Sequence, residues 1–299
     1  MGRVTGRRRV RRISLDAPDP SRVGPDTLAA EEPLEIRVGP AGGRRPALAV
    51  TMRTPGDDLD LAIGFLVTEG IIGSADDVLT AQLCAGADTP NTYNVVDVAL
   101  APGVAPPQTD PARHFYTTSS CGVCGKASID AVRVRSRHDI AADAVTVDAE
   151  ILSTLPDTLR AAQKAFDATG GLHAAGLFDA KGTAACVRED VGRHNAVDKV
   201  VGWAARTCRL PLTGHVLVVS GRASFELVQK ATLAGIPMLA AVSAPSTLAV
   251  DLAEEAGLTL VGFLRGRTFN VYAGHERVTL APRSASRQPA ADPRADRQR

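Results

Sequence analysis

The sequence predicts an α/β protein, with a mostly parallel sheet covered by helices on both faces and a smaller N-terminal β-rich α+β portion. Three observations predict it. Strand and helix patterns alternate beyond Asp148; the segments 215–220, 238–243 and 258–263 are near-continuous apolar runs; and glycine, serine and proline punctuate the elements. Residues 1–30, with Arg3, Arg7, Arg8, Arg9, Arg11 and Arg12, read as a basic disordered tail. Residues 31–113 form the smaller portion. There, 34–38 and 48–52 make a hairpin through Gly39, Pro40, Gly42 and Gly43, and Asp57 and Asp58 precede a helix through Leu61, Ile63, Phe65 and Leu66 that ends near Gly70 or Gly73. A strand over 93–100 leads into a proline-rich loop over 101–113.

Residues 114–280 form the α/β core. It opens with a segment containing Cys121 and Cys124, followed by a helix through Leu152, Leu155, Leu159, Ala162 and Phe166 that Gly170 and Gly171 stop. Strands over 172–178 and 183–187, a helix around 197–203, a strand over 215–220, a helix over 225–233, a strand over 238–243, a helix over 247–256 and a strand over 258–263 complete it. Residues 281–299 lack an apolar period and read as a disordered tail.

The chain has 299 residues, 44% of them hydrophobic, enough to bury a sizeable core. A net charge of +1 gives no general signal for nucleic acid. No apolar run approaches the roughly 20 residues that cross a bilayer, and no apolar leader follows the basic start, so a cytoplasmic location is expected. The five cysteines, an odd number, argue for free working thiols over a disulfide scaffold.

Cys121 and Cys124 lie in Thr118-Ser119-Ser120-Cys121-Gly122-Val123-Cys124-Gly125-Lys126, which reads as a capped first helical turn. Free helix amides and Lys126 favour the thiolate, the form that attacks sulfur or binds metal. Three readings are open: a persulfide carrier, half of a zinc site, or an inert or redox-cycling dithiol.

Four loops follow the core strands: Arg188 to Asn195, Ser220 to Ser224, Ser243 to Ser246, and Arg265 to Thr268. Ligands of open α/β sheets gather at carboxyl strand ends, and these loops offer Arg193, Arg222, Arg265 and Arg267 with Ser220 and Gly266, an inventory for phosphate-bearing, nucleotide-like ligands. His194 reads as a hydrogen-bonding residue at a helix start, Glu189 and Asp190 as partners of Arg193 or of a ligand, and Lys199 and Lys230 as solvated helix residues.

The cysteine run, the run from Glu189 to Lys199, the run from Ser220 to Glu226 and the run from Gly262 to Tyr272 resemble, in this order, those of the formate dehydrogenase accessory sulfurtransferases, over about residues 30–280. The resemblance implies a sulfur carrier. It would take sulfur from a cysteine desulfurase as a persulfide and pass it to the molybdenum cofactor, as bis-molybdopterin guanine dinucleotide, for the formate dehydrogenase catalytic subunit. Residue by residue, Cys121 matches the persulfide cysteine and Cys124 its partner. Phe263, Leu264, Arg265, Gly266, Arg267 and Thr268 match the cofactor-binding stretch, and the implied core is similar to that of cytidine deaminases.

A zinc deaminase would need a His-x-Glu segment and a proline before the first cysteine. Neither is present, so no tightly bound metal is expected. A non-catalytic cofactor chaperone is the alternative, because binding the cofactor needs the same loops as reacting with it. A two-fold dimer is expected on base rates alone.

Overall fold

The computed structural model describes residues 3–85, 93–107, 136–280 and the backbone of 116–117. Cys121 and Cys124 lie outside the described residues, as does the tail 281–299.

The N-terminal portion is a five-stranded sheet ordered β5-β6-β3-β4-β7, from β3 (Glu32–Pro40), β4 (Ala47–Arg53), β5 (Val78–Cys84), β6 (Val95–Leu100) and β7 (Tyr116–Thr117). Helix α1 (Asp58–Thr68) covers it, turning Leu61, Ile63 and Leu66 into a core shared with Leu34, Ile36, Val96 and Val98. The expected hairpin, helix and sixth strand are present. Strand β5 escapes a sequence reading because its polar and apolar residues do not alternate cleanly.

The main sheet has six strands ordered β10-β9-β11-β12-β13-β14: β9 (His173–Asp179), β10 (Ala184–Asp190), β11 (His215–Val219), β12 (Met238–Ala241), β13 (Thr259–Arg265) and β14 (Thr268–Ala273). Its strands alternate between two cores. Leu217, Val219, Leu239 and Ala241 face α4 (Arg193–Arg206), α5 (Phe225–Leu233) and α6 (Thr247–Ala256), while Val216, Val218, Met238 and Ala240 face α2 (Ala149–Ala162). Both faces are covered, as expected.

The sheet is not mostly parallel. Only β11-β12 and β12-β13 are parallel pairs; β10-β9, β9-β11 and β13-β14 are antiparallel. The physical reason is connection length. Strands β9 and β10 are joined by a tight turn at Gly182, and β13 and β14 by one at Gly266, whereas a parallel neighbour needs a crossover of about a dozen residues or more.

Three further expectations are corrected. Residues 1–30 are not a disordered tail: β1 (Thr5–Ile13) and β2 (Ser21–Ala29) pair antiparallel along their whole length. The single helix expected through Phe166 breaks at Gln163 into α2 and α3 (Lys164–Thr169), because the Glu189 carboxylate takes the backbone amides of Ala165 and Phe166 at 2.9 and 2.7 Å. Lys199 and Lys230 are not solvated. Lys199 pairs with Asp190 at 2.8 Å and Lys230 with Asp198 at 2.8 Å, all four buried where helices and sheet meet. A short parallel pair, β8 (Val147–Asp148) and β15 (Val278–Thr279), closes the core. Among the described residues no helix is long and apolar enough to cross a membrane.

Candidate functional site

Because β9 runs against both β10 and β11, strands β10, β11, β12 and β13 all point the same way, so the four loops open at one edge. Hydrogen bonds knit them together. The ring Nε2 of His194, in the first turn of α4, lies 3.3 Å from Ser224 Oγ at the end of the next loop and 3.0 Å from Glu226 Oε2 in the first turn of α5. Ala223 N donates to Ala244 O at 3.2 Å, and Phe263 N donates to Ser243 O at 3.1 Å. Arg265 Nε donates to Val242 O at 2.9 Å.

His194, read as a helix-start residue, thus ties two loops together. Serine and glutamate both approach the same ring nitrogen, whereas a hydrolytic relay needs them on opposite nitrogens. Burial raises the Glu226 carboxyl, but the hydrogen bond and charge of His194 and the Ser224 hydroxyl more than offset it, leaving its pKa below the ordinary value. The arrangement is a hydrogen-bonded brace between the start of α4 and the start of α5.

A second brace sits beneath the first loop. Asp190 accepts from Thr54 N at 3.1 Å, Gly192 N at 2.8 Å, Asn195 Nδ2 at 3.1 Å and the Lys199 ammonium. Asn195 Nδ2 also donates to Met52 O at 2.7 Å, and Lys199 to Thr54 O at 2.9 Å. Strand β4 of the small sheet is thereby fixed to the start of α4. Thr51 Oγ1 lies 3.2 Å from Asn195 Oδ1, and β7 runs parallel to β4 with Thr117 opposite Thr51. The backbone of Thr117 therefore lies beside the start of α4; Cys121, four residues further along the sequence, lies outside the described residues.

The expected ligand residues fall into two groups. Arg222, Phe263, Arg265, Gly266, Arg267 and Thr268 are exposed at this edge, and Arg193 is the first residue of α4. Phe263 is 42% exposed with φ 53°, a left-handed conformation that few non-glycine residues adopt. Arg267 pairs with Glu150 of α2 at 2.5 Å. Two residues serve the frame instead: Leu264 is buried against α2, and Ser220 Oγ accepts from Ala174 N at 2.9 Å, joining β11 to β9.

His173, Thr54 and Glu226 matter to the edge and carry no distinctive sequence signal. His173 lies at the mouth between Gly221 and Arg193; burial, then the charge of Arg193, lowers its pKa below 6.5. Its neutral form is favoured in the fold, so its contribution is complete above pH 6.5 and is lost as pH falls below that value. The urea midpoint is expected to fall between pH 7.5 and about 5.5, and less steeply in His173→Gln; an unchanged slope contradicts this.

Of the described cysteines, Cys186 is buried and its thiol is pushed up to about 12 by that burial, so it is not a thiolate at neutral pH. Cys84 is half-buried in β5 and Cys208 is exposed after α4. Among the described residues no group of three His, Cys, Asp or Glu is placed to hold a metal ion.

A mixed α/β core braced to a small sheet, with arginines and helix starts gathered at one edge, defines the class: an α/β protein with an arginine-rich strand-end edge. The FdhD/NarQ family model matches residues 29–279, and the chain belongs to that family. It is 61% identical over 288 residues to the sulfur carrier protein FdhD of Streptomyces avermitilis, covering 95% of this chain and 99% of that one. It is 57% identical over 284 residues to the protein of the same name from Mycobacterium tuberculosis, covering 93% and 100%. The crystal structure of a proposed formate dehydrogenase accessory protein from Desulfotalea psychrophila superposes with a TM-score of 0.70, at 21% identity, over 93% of this chain and 100% of that one, a likeness of fold.

Proposed function

We propose that this protein is a sulfurtransferase that carries sulfur on Cys121 to the molybdenum cofactor for formate dehydrogenase. The observation that carries the reading is family membership over almost the whole chain, with relatives named sulfur carrier proteins. In the loading step, the Cys121 thiolate attacks the outer sulfur of a cysteine desulfurase persulfide. A sulfur–sulfur bond forms on Cys121, and the desulfurase cysteine leaves as its thiolate. Low reactivity of Cys186 supports leaving this step to the Cys121 and Cys124 pair.

The substrate is the cofactor's bis-molybdopterin guanine dinucleotide form. Its phosphates suit Arg222, Arg265 and Arg267 and the first turns of α4 and α5, whose caps Gly192 and Ser224 make no side-chain bond to the helix amides. Its guanine suits the exposed ring of Phe263. The pairing of Thr117 with Thr51 beside the start of α4, four residues before Cys121 in sequence, supports bringing sulfur and cofactor to one edge. The core, in this reading, is a cytidine-deaminase-like scaffold used for sulfur, in the cytoplasm, between a desulfurase donor and the formate dehydrogenase catalytic subunit.

Cys121→Ala tests it against the chaperone alternative. The variant is expected to bind the cofactor at wild-type affinity and to lose formate dehydrogenase activity by about a thousandfold or more, since losing a covalent nucleophile can cost about a millionfold. Full activity in the variant overturns the transfer reading.

A further inference from the structure

The N-terminal hairpin forms a two-stranded ribbon whose base lies at the site's edge: Ala29 packs 3.8 Å from where a Cβ on Gly171 would be, two residues before His173. Its arginines are ordered. In a strand, alternate residues share a face, so Arg7, Arg9 and Arg11 stand in one exposed row about 7 Å apart. The residues directly opposite them are Thr27, Pro25 and Val23, none of them acidic. Among the described residues only Asp26, on the other face, neutralises an arginine of the ribbon, pairing with Arg12 at 2.8 Å.

The backbone is ordered in the same rhythm. Val4 O accepts from Ala30 N and Ser14 N donates to Pro20 O, both at 2.9 Å, and the register between them is continuous. Even-numbered residues of β1 therefore bond β2, and Arg7, Arg9 and Arg11 turn their amides and carbonyls to the open edge. The Arg7 carbonyl accepts from the Arg8 guanidinium; no other strand pairs with this edge among the described residues. Pro25, opposite Arg9, obeys the same parity, since its position on β2 also faces outward and needs no donor.

From this juxtaposition we infer that the outer edge of β1 is a docking surface for an extended acidic segment of a partner protein, added as a third strand with a carboxylate at every second residue. Main-chain donors and acceptors at the edge fit a strand, which offers both in return. The row of guanidinium forks fits carboxylates in bidentate geometry at the same spacing. A phosphate backbone offers no donor to the carbonyls. The rest of the chain also disfavours a polyanion: residues 1–30 hold seven arginines and three aspartates in a chain of net charge +1, so acidic side chains outnumber basic ones elsewhere. This inference is independent of the sulfur chemistry.

The test is fluorescence anisotropy on the full chain with two labelled peptides of the length of β1. One alternates glutamate and threonine; the other has the same composition with its glutamates contiguous. The alternating peptide is expected to bind about tenfold tighter or more, and Arg7→Glu, Arg9→Glu and Arg11→Glu together to abolish the difference. Arg9→Pro blocks the edge amide without touching the bonds to β2, so it is expected to weaken binding well beyond Arg9→Gln. Equal binding of the two peptides, equal affinities of Arg9→Pro and Arg9→Gln, or tighter binding of a DNA duplex of matched length overturns the inference.

Discussion

Gly202→Ala is expected to destabilise the protein by about 3 kcal/mol or more. Helices α1 and α4 cross with glycine against backbone on both sides. A Cβ on Gly202 would lie 1.8 Å from the Asp60 carbonyl oxygen, and one on Gly64 would lie 1.7 Å from that of Asp198. No flexible side chain can yield there, so the helices must separate, and the core shared by the two sheets opens with them. Alanine's better helix propensity, about 1 kcal/mol, opposes this and is too small to reverse the sign. Urea unfolding checks it, and a midpoint equal to or above that of the wild type contradicts the account.

Lys199→Met is expected to cost about 3–5 kcal/mol, the scale of leaving one member of a buried ion pair without its partner. Asp190 is fully buried and keeps only neutral donors, from Thr54, Gly192 and Asn195, once the ammonium is gone. The double variant Asp190→Asn with Lys199→Met removes both charges and is expected to lose less than the two single losses together. Strict additivity would mean that the pair does not couple β4 to α4. The same brace fixes β4, on which β7 pairs four residues before Cys121 in sequence, so sulfur transfer is expected to fall in Lys199→Met even where the protein stays folded.

Residues 215–256 were legible in the sequence because each strand is a continuous apolar run and each helix begins after a serine or a small polar turn: α5 and α6 lie where they were expected. The convergence of the four loops was also legible, though for a partly mistaken reason. The expected parallel sheet is flanked by an antiparallel hairpin on each side, and the added reversal at β9 restores the direction of β10. Burial of Lys199 and Lys230 was not legible, since an ammonium in a helix looks the same whether it faces water or a carboxylate from a distant element. The hairpin at the start was hidden by its arginines, which suit both a solvated tail and an exposed ribbon. Ser220 and Leu264 show the limit of motifs: one lies in a loop read as phosphate-recognising and the other in the stretch matched to cofactor binding, yet one fastens a strand end and the other fills the core.

Loading Cys121 is the central claim. Peptide mass spectrometry after incubation with an active cysteine desulfurase and cysteine is expected to show a gain of one sulfur on the peptide holding Cys121, removed by dithiothreitol and absent from Cys121→Ala. Sulfur on neither Cys121 nor Cys124, or sulfur found instead on Cys84, Cys186 or Cys208, contradicts the account.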